Sequence, residues 1–328
     1  MDNRGSSSGA GTAPSEWVPG GGRLEWVDVA RGVGIIAVVV GHVWTQGPVR
    51  DAVYSFHMPL FFLLSGLLSR AQPPGAFTLR QLGSQMRPYA AFLALLIVAD
   101  QIVEPLKGHR PIFDQWPQDM LPVLLGGSWL RGPYTIFWFV PCLMAGRILF
   151  NMLLARWRDP LDRRWAWVIL PLLPIAYILG WITDASVLGL LSVPMALVLL
   201  WVGAAWQKVA WRRWMWWPLA ALSLGGLSGL LPTLNMKAAD YGAPLLSIGS
   251  AVATSLLLFR FSVRVGPFGG WLAGVGRASL VIMYLHVAVI HYFSPILGKP
   301  WLLTLAVALP MGAYHLMKRS AVGRRIFL

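Results

Sequence analysis

The chain has 328 residues, 56% of them hydrophobic and only 12% charged, with a mean hydropathy of +0.61. Soluble domains carry about 25% charged residues, so the main solvent reads as lipid, and about ten spans of about 20 residues leave no length for a separate large soluble domain. The net charge of +14 would suit nucleic acid, but the basic residues sit at the ends of the apolar runs, and the single cysteine, Cys142, excludes an intramolecular disulfide and a cysteine-based metal cluster.

In chain order, residues 1–22 are rich in Gly, Ser and Pro and read as a disordered tail. No apolar core follows a basic start before residue 27, so the first span reads as a retained helix and not a cleaved signal. Apolar runs then predict helices at 27–46, 53–70, 87–105, 134–154, 166–182, 187–207, 214–231, 242–261, 271–293 and 300–317. The shorter apolar segment 118–130 reads as re-entrant or interfacial. The fold class is therefore all-α, a polytopic membrane protein of about ten transmembrane helices. The membrane domain covers 23–320, and 321–328 form a basic cytoplasmic tail.

Charge sets the expected orientation. With the N-terminus in the cytoplasm, 21 of the 27 basic residues fall on the inner face. Arg50, Lys107, Arg110, Arg131, Lys237 and Lys299 remain outside. This split follows the positive-inside rule and puts both termini in the cytoplasm, as for a multi-pass protein of the cell inner membrane. The 18 tryptophans fit the same setting, because indole rings favour the membrane interface. No strong internal repeat is visible, which weakens a transporter reading.

Ionisable groups inside a span are costly and mark function by default. Arg31 and His42 are eleven residues apart, about 1100° of helix rotation, so they share a face. The rise between them is about 16 Å, half the hydrocarbon thickness. His57 lies just inside the second span, about as far past the connecting loop as His42 lies before it, so the two histidines belong at one depth. Pro59 is expected to loosen the helix beside it. Asp100 and Glu104 are spaced i,i+4 near the outer end of the third span, where they could orient a histidine or simply lie in the interface. His286 falls in the outer half of the ninth span; His291 and His315 read as structural and His109 as solvated. No carboxylate–histidine cluster has helical ligand spacing, so no metal site is expected. Arg80 and Arg87 flank the inner loop, where they could bind phosphates of a nucleotide-like donor or simply signal topology.

Four segments resemble the acyltransferase-3 family of membrane-bound O-acyltransferases. Val27 to Ile35, running on to Gly41-His42, is similar to its first span, with Arg and His separated by ten residues. Phe56-His57-Met58-Pro59 through Ser65-Gly66 is similar to its second, Phe137-Trp138-Phe139-Val140 to its Trp-Phe-Leu segment, and Gly276-Arg277 through Tyr284-Leu285-His286 to its last part. Asn235 to Leu246 also resembles the fucose 4-O-acetylase-like branch. The resemblance implies about ten helices, an acetyl or short acyl group supplied by cytoplasmic acyl-CoA (acetyl-CoA first of all), and a sugar hydroxyl on a cell-surface or lipid-linked glycan as acceptor. It implies His42 as the main catalytic residue with Arg31 as its partner. The family's Arg-x-x-Arg is met here by Arg87, with Ser84 at the first position and Arg80 as the substitute. The expected site is thus His42, Arg31 and His57 for catalysis and Arg31, Arg80 and Arg87 for the donor. His57 either orients His42 or receives the proton, and a covalent acyl-histidine step stays open. The lipid bilayer and glycan-assembly machinery are the other expected partners. Two rival readings are a transporter or flippase of lipid-linked glycans, with histidines relaying protons, and a non-catalytic membrane subunit that presents a partner enzyme.

Overall fold

The computed structural model describes residues 24–265 and 269–328, and among these the chain is helical, with one isolated bridge between Asn235 and Asp240. The segment 1–22, expected to be disordered, lies outside the described residues. The first helices are α1 (Glu25–Val43), α2 (Pro48–Tyr54), α3 (His57–Leu67), α4 (Pro74–Gln81) and α5 (Arg87–Leu106), the last two joined through a π-helical turn at Leu82–Met86. There follow α6 (Met120–Leu125), α7 (Phe139–Arg156) behind a 3₁₀ entry at Gly132–Trp138, α8 (Ala166–Ile182), α9 (Val193–Trp206) and α10 (Trp216–Leu227). The chain closes with α11 (Leu246–Val265), α12 (Gly270–Arg277), α13 (Ser279–Phe293), α14 (Lys299–Arg319) and α15 (Ala321–Phe327).

Seven helical stretches are long and apolar enough to cross a membrane, and α12 with α13, bent by 76°, would make an eighth. The expected spans at 53–70 and 214–231 are shorter than the apolar runs suggest. At 11 and 12 residues, α3 and α10 rise only about 17–18 Å, against about 30 Å of hydrocarbon. The first run breaks at Phe56, whose φ of −146° is not helical. Pro59 is not the cause: it sits in the first turn of α3, where a missing N–H costs no helical bond. The two shortened helices end against each other. A Cβ added to Gly226, next to the end of α10, would lie 3.4 Å from the Cβ of Ser55 at the α2–α3 break. The break therefore leaves a recess beside α1 where a full span would have filled the space.

Close packing holds α1 in place. Gly32 on α1 and Gly276 on α12 face each other so tightly that a Cβ on Gly276 would strike the Asp28 carbonyl and one on Gly32 the Leu272 carbonyl. Small residues allow this approach, which suits helices that gain little from burying apolar surface in lipid. Beside them Phe92, Phe137 and Tyr284 stack, with Tyr284 4.8 Å from Phe92 and 4.9 Å from Phe137 between ring centroids. After α3 the chain returns to the Arg31 end of α1. There Gln72 exchanges hydrogen bonds with the Asn151 amide of α7, donating its N–H to Oδ1 at 3.0 Å and accepting from Nδ2 at 3.1 Å. The segment 118–130 is a short helix and turn whose Ser128 pairs with Ser186, each backbone N–H donating to the other residue at 3.0 and 2.8 Å.

Candidate active site

The recess is a cavity of about 240 Å³ bordered by His42, Arg50, His57, Thr135, Asn235 and Lys237 among others. His42 stands in the last turn of α1 and is half-buried, its remaining surface facing the cavity. His57 is the first residue of α3 and is buried. Its Nδ1 lies 2.8 Å from the Val53 carbonyl, so Nδ1–H donates and Nε2 keeps the lone pair. The edge of the Tyr54 ring packs on His57 at 4.7 Å, and the Arg50 guanidinium covers Tyr54 at 4.1 Å. This Arg50–Tyr54–His57 stack fixes the imidazole plane.

A third histidine completes the group. His286 on α13 is fully buried, with Nδ1 2.8 and 2.9 Å from the Ile282 and Met283 carbonyls. Both carbonyls are acceptors, so its proton is also on Nδ1. Its Nε2 is sealed from solvent and has no hydrogen-bond partner among the described residues. The His286 ring centroid lies 5.1 Å from that of His42. The sequence shows His286 as a polar residue of the ninth span and the end of the family-like segment from Gly276; the 76° bend ahead of α13 decides its position.

Lys237 closes the far side of the cavity, donating to the Leu130 carbonyl at 3.1 Å and to Thr135 Oγ1 at 2.7 Å. It lies in the loop after α10, and burial pushes its ammonium below the usual lysine value. The sequence shows Arg50 and Lys237 as outer-face charges and Asn235 only within the fucose 4-O-acetylase-like segment. Arg50 reaches the cavity from α2, and Asn235 and Lys237 reach it because the short α10 lets residues 234–237 fold into the recess.

Arg31 does not reach this cavity. Its side chain is 43% accessible and lies 3.9 Å from Asp28. Its charge and that of Arg80 both bear on Arg147 of α7, which places the three at one end of the molecule. Arg80, Ser84 and Arg87 border a second pocket of about 440 Å³ together with Arg324 and Arg325. The structure thus brings His42 and His57 to one cavity and Arg80 and Arg87 to another, and Arg31 borders neither.

Asp100 and Glu104 are buried in the protein, being 1% and 4% exposed. Glu104 takes His109 Nδ1 and His291 Nε2, each at 3.2 Å, and Asp100 accepts from Tyr292 and from the Ile112 N–H. One donor atom each of Asp100, Glu104 and His291 lies within 4.8 Å of the others, a spacing able to hold a metal ion. The expectation of no metal site considered spacing along one helix; this group is assembled from α5 and α13. It does not border the His42 cavity; His109 is solvent-exposed as expected, and both it and His291 reach the Glu104 carboxylate.

A family model described as an acyltransferase domain matches residues 24–313. The chain belongs to the acyltransferase-3 family. It is a membrane acyltransferase, all-α, with several spans. No curated protein and no solved structure matches it. The match covers every residue of the His42 cavity and both Arg80 and Arg87, and it stops before α15.

Proposed function

We propose that this acyltransferase moves an acetyl or other short acyl group from acyl-CoA, bound at the cytoplasmic Arg31 end, to a sugar hydroxyl that enters the His42 cavity from the other side. The observation that carries the reading is the meeting of His42 and His57 at one small cavity, with His286 packed against His42, about 16 Å along α1 from Arg31. At about 240 Å³ the cavity is below the roughly 300–1,000 Å³ of sites for drug-sized ligands. That size favours one sugar ring and a short acyl chain. The resemblance of Asn235 to Leu246 to fucose 4-O-acetylases supports a sugar acceptor, since Asn235 and Lys237 border the cavity and can accept and donate hydrogen bonds to hydroxyls.

His286 packs its ring against His42 and helps to hold that imidazole in place, while a His42 nitrogen at the cavity serves as the base. His42 takes the acceptor hydroxyl proton as the oxygen attacks the thioester carbonyl. The C–S bond breaks, the thiolate leaves as CoA, and the proton follows it from His42 or by way of His57 Nε2. The donor's phosphates lie among Arg31, Arg80 and Arg87, whose planar forks suit phosphate oxygens. The setting is a cell inner membrane, with both chain ends in the cytoplasm and glycan-assembly proteins as neighbours.

Purified protein in nanodiscs, given radiolabelled acetyl-CoA and a panel of oligosaccharides, tests this directly. Transfer of label to a hydroxyl, lost in His42→Ala, is the expected result. Absence of transfer to any acceptor, with glycan translocation in its place, would leave the flippase reading standing.

A further inference from the structure

We propose that α15 completes a binding site for a phosphate-bearing ligand, with Arg324 and Arg325 acting together with Arg80 and Arg87. The identity of that ligand as the nucleotide end of acyl-CoA rests on the proposed function.

The pocket of about 440 Å³ draws its cations from three elements: Arg80 from α4, Arg87 from α5, and Arg324 and Arg325 from α15. None of the four is paired with a carboxylate among the described residues. Neutral groups hold three of them. Arg80 donates to Gln72 Oε1, Arg87 to the Arg325 carbonyl at 2.8 Å, and Arg324 to the Lys318 carbonyl at 2.7 Å. These bonds use one of the five donors that each guanidinium carries and add no negative charge. Four like charges drawn into one pocket repel one another, and a multivalent anion relieves that repulsion while filling the unused donors.

The wall supplied by α15 is built, not incidental. Ser320 Oγ accepts from the Gly323 N–H at 3.2 Å and caps the helix. Phe327 packs its edge on Phe92 at 4.9 Å, on the face of α5 that also stacks against Tyr284. A basic tail needed only for orientation has no reason to be capped and anchored in this way. The opposite end of the pocket is shaped by the π-helical turn, which carries Gly83 and Ser84 to its surface. Such turns occur rarely in helices and frequently at functional sites. The pocket's volume lies within the range of small-molecule sites. Guanidinium forks with a nearby hydroxyl match phosphate oxygens better than they match a carboxylate-free surface in water.

A free nucleotide diphosphate and an anionic lipid headgroup share this chemistry, so the test has an arm for each. CoA binding to the full chain is measured by calorimetry in phosphatidylcholine nanodiscs, and phosphatidylglycerol binding by native mass spectrometry. The variants are Arg324→Ala/Arg325→Ala and Arg324→Lys/Arg325→Lys. The expected result is a CoA Kd at least about tenfold weaker for the alanine pair, partial recovery with the lysine pair, and a steeper loss at high salt for the wild type. Should the alanine pair not fold, Arg325→Gln gives the same readout, because that guanidinium makes no hydrogen bond among the described residues. Unchanged CoA affinity in a folded variant overturns the site while leaving the proposed function intact. Phosphatidylglycerol bound through these arginines, with no CoA binding by the wild type, retains the phosphate site and overturns the donor reading. Neither ligand binding overturns both.

Discussion

His42 on α1 and His286 on α13 stand ring to ring, 5.1 Å between centroids, and only one of them borders the cavity. His286 has both of its hydrogen-bonded contacts on its Nδ1 side and leaves Nε2 to the protein interior. A buried imidazole nitrogen without a partner is costly. The two rings meet by packing alone, one at the cavity and one sealed behind it, so the two residues should respond to substitution differently.

His42→Ala should lower kcat by roughly 10²–10⁴-fold, the usual contribution of a general base. Thermal stability should change little, because the side chain borders a cavity already open. His286→Gln should cost less rate and more stability, since the residue is fully buried and bonded to two carbonyls. Single-turnover rates and melting curves on both variants separate the roles. Equal rate loss with unequal melting would refute the positioning role.

Gly276→Ala should misplace the whole first helix. The added methyl meets the Asp28 carbonyl, a backbone atom that cannot rotate away. Overpacking of this kind costs about 1–3 kcal/mol, and Arg31 and His42 ride on the same helix. Melting temperature and transfer rate should fall together. Gly312→Ala on α14, where an added Cβ has nothing within 4 Å, should leave both unchanged or slightly raise stability. Parallel melts of the two variants provide the check.

How much of this was legible in the sequence follows from what each feature depends on. The stripe carrying Arg31 and His42 depends on one helix, so spacing alone placed both residues and the distance between them. The meeting of His42 with His57 depends on a hairpin with a short loop, which hydropathy also shows. His286 could not be placed, because its position depends on a 76° bend between two apolar helices that read as one continuous span. The two shortened helices were hidden for a related reason: apolar composition continues through Phe56 and through Leu227-Leu231, and composition reports solvent, not helix length. The Asp100–Glu104–His291 group escaped because its members come from α5 and α13. Arg80, Ser84 and Arg87 fall on one pocket although the spacing departs from Arg-x-x-Arg. The π-helical turn between Arg80 and Arg87 carries Ser84, and it leaves no hydropathy signal.

Asn151→Ala should free the return segment after α3. Its amide satisfies both the N–H and the carbonyl of Gln72, and Gln72 in turn holds Arg80. Loss of one side chain thus leaves two half-buried backbone groups unpaired, at about 1–3 kcal/mol each if water does not replace it. Because water can reach part of this segment, the expected effect is local. Hydrogen exchange at residues 68–74 should speed up at least tenfold, with the donor KM raised and kcat nearly unchanged. Exchange that stays slow would show that Asn151 does not hold the segment.

Glu104→Gln should weaken the end of the molecule nearest α5's C-terminus without touching the reaction. Glu104 gathers His109, His291 and Lys107 from two separate parts of the chain, with the first two at 3.2 Å and Lys107 at 3.5 Å. The amide keeps the shape but removes the charge and places an NH₂ against at least one donor. Charge-assisted bonds at a group only 4% exposed are worth about 1.5–3 kcal/mol each, and His109 at 63% exposure contributes the least of them. A double-mutant cycle with His291→Ala should therefore show coupling of about 1 kcal/mol or more, and kcat should hold because none of these residues borders the His42 cavity. If a divalent ion sits among Asp100, Glu104 and His291, chelator treatment will lower the melting temperature of the wild type and leave Glu104→Gln unmoved. Additive melting changes with no chelator effect would reduce the group to independent surface contacts, which its burial argues against.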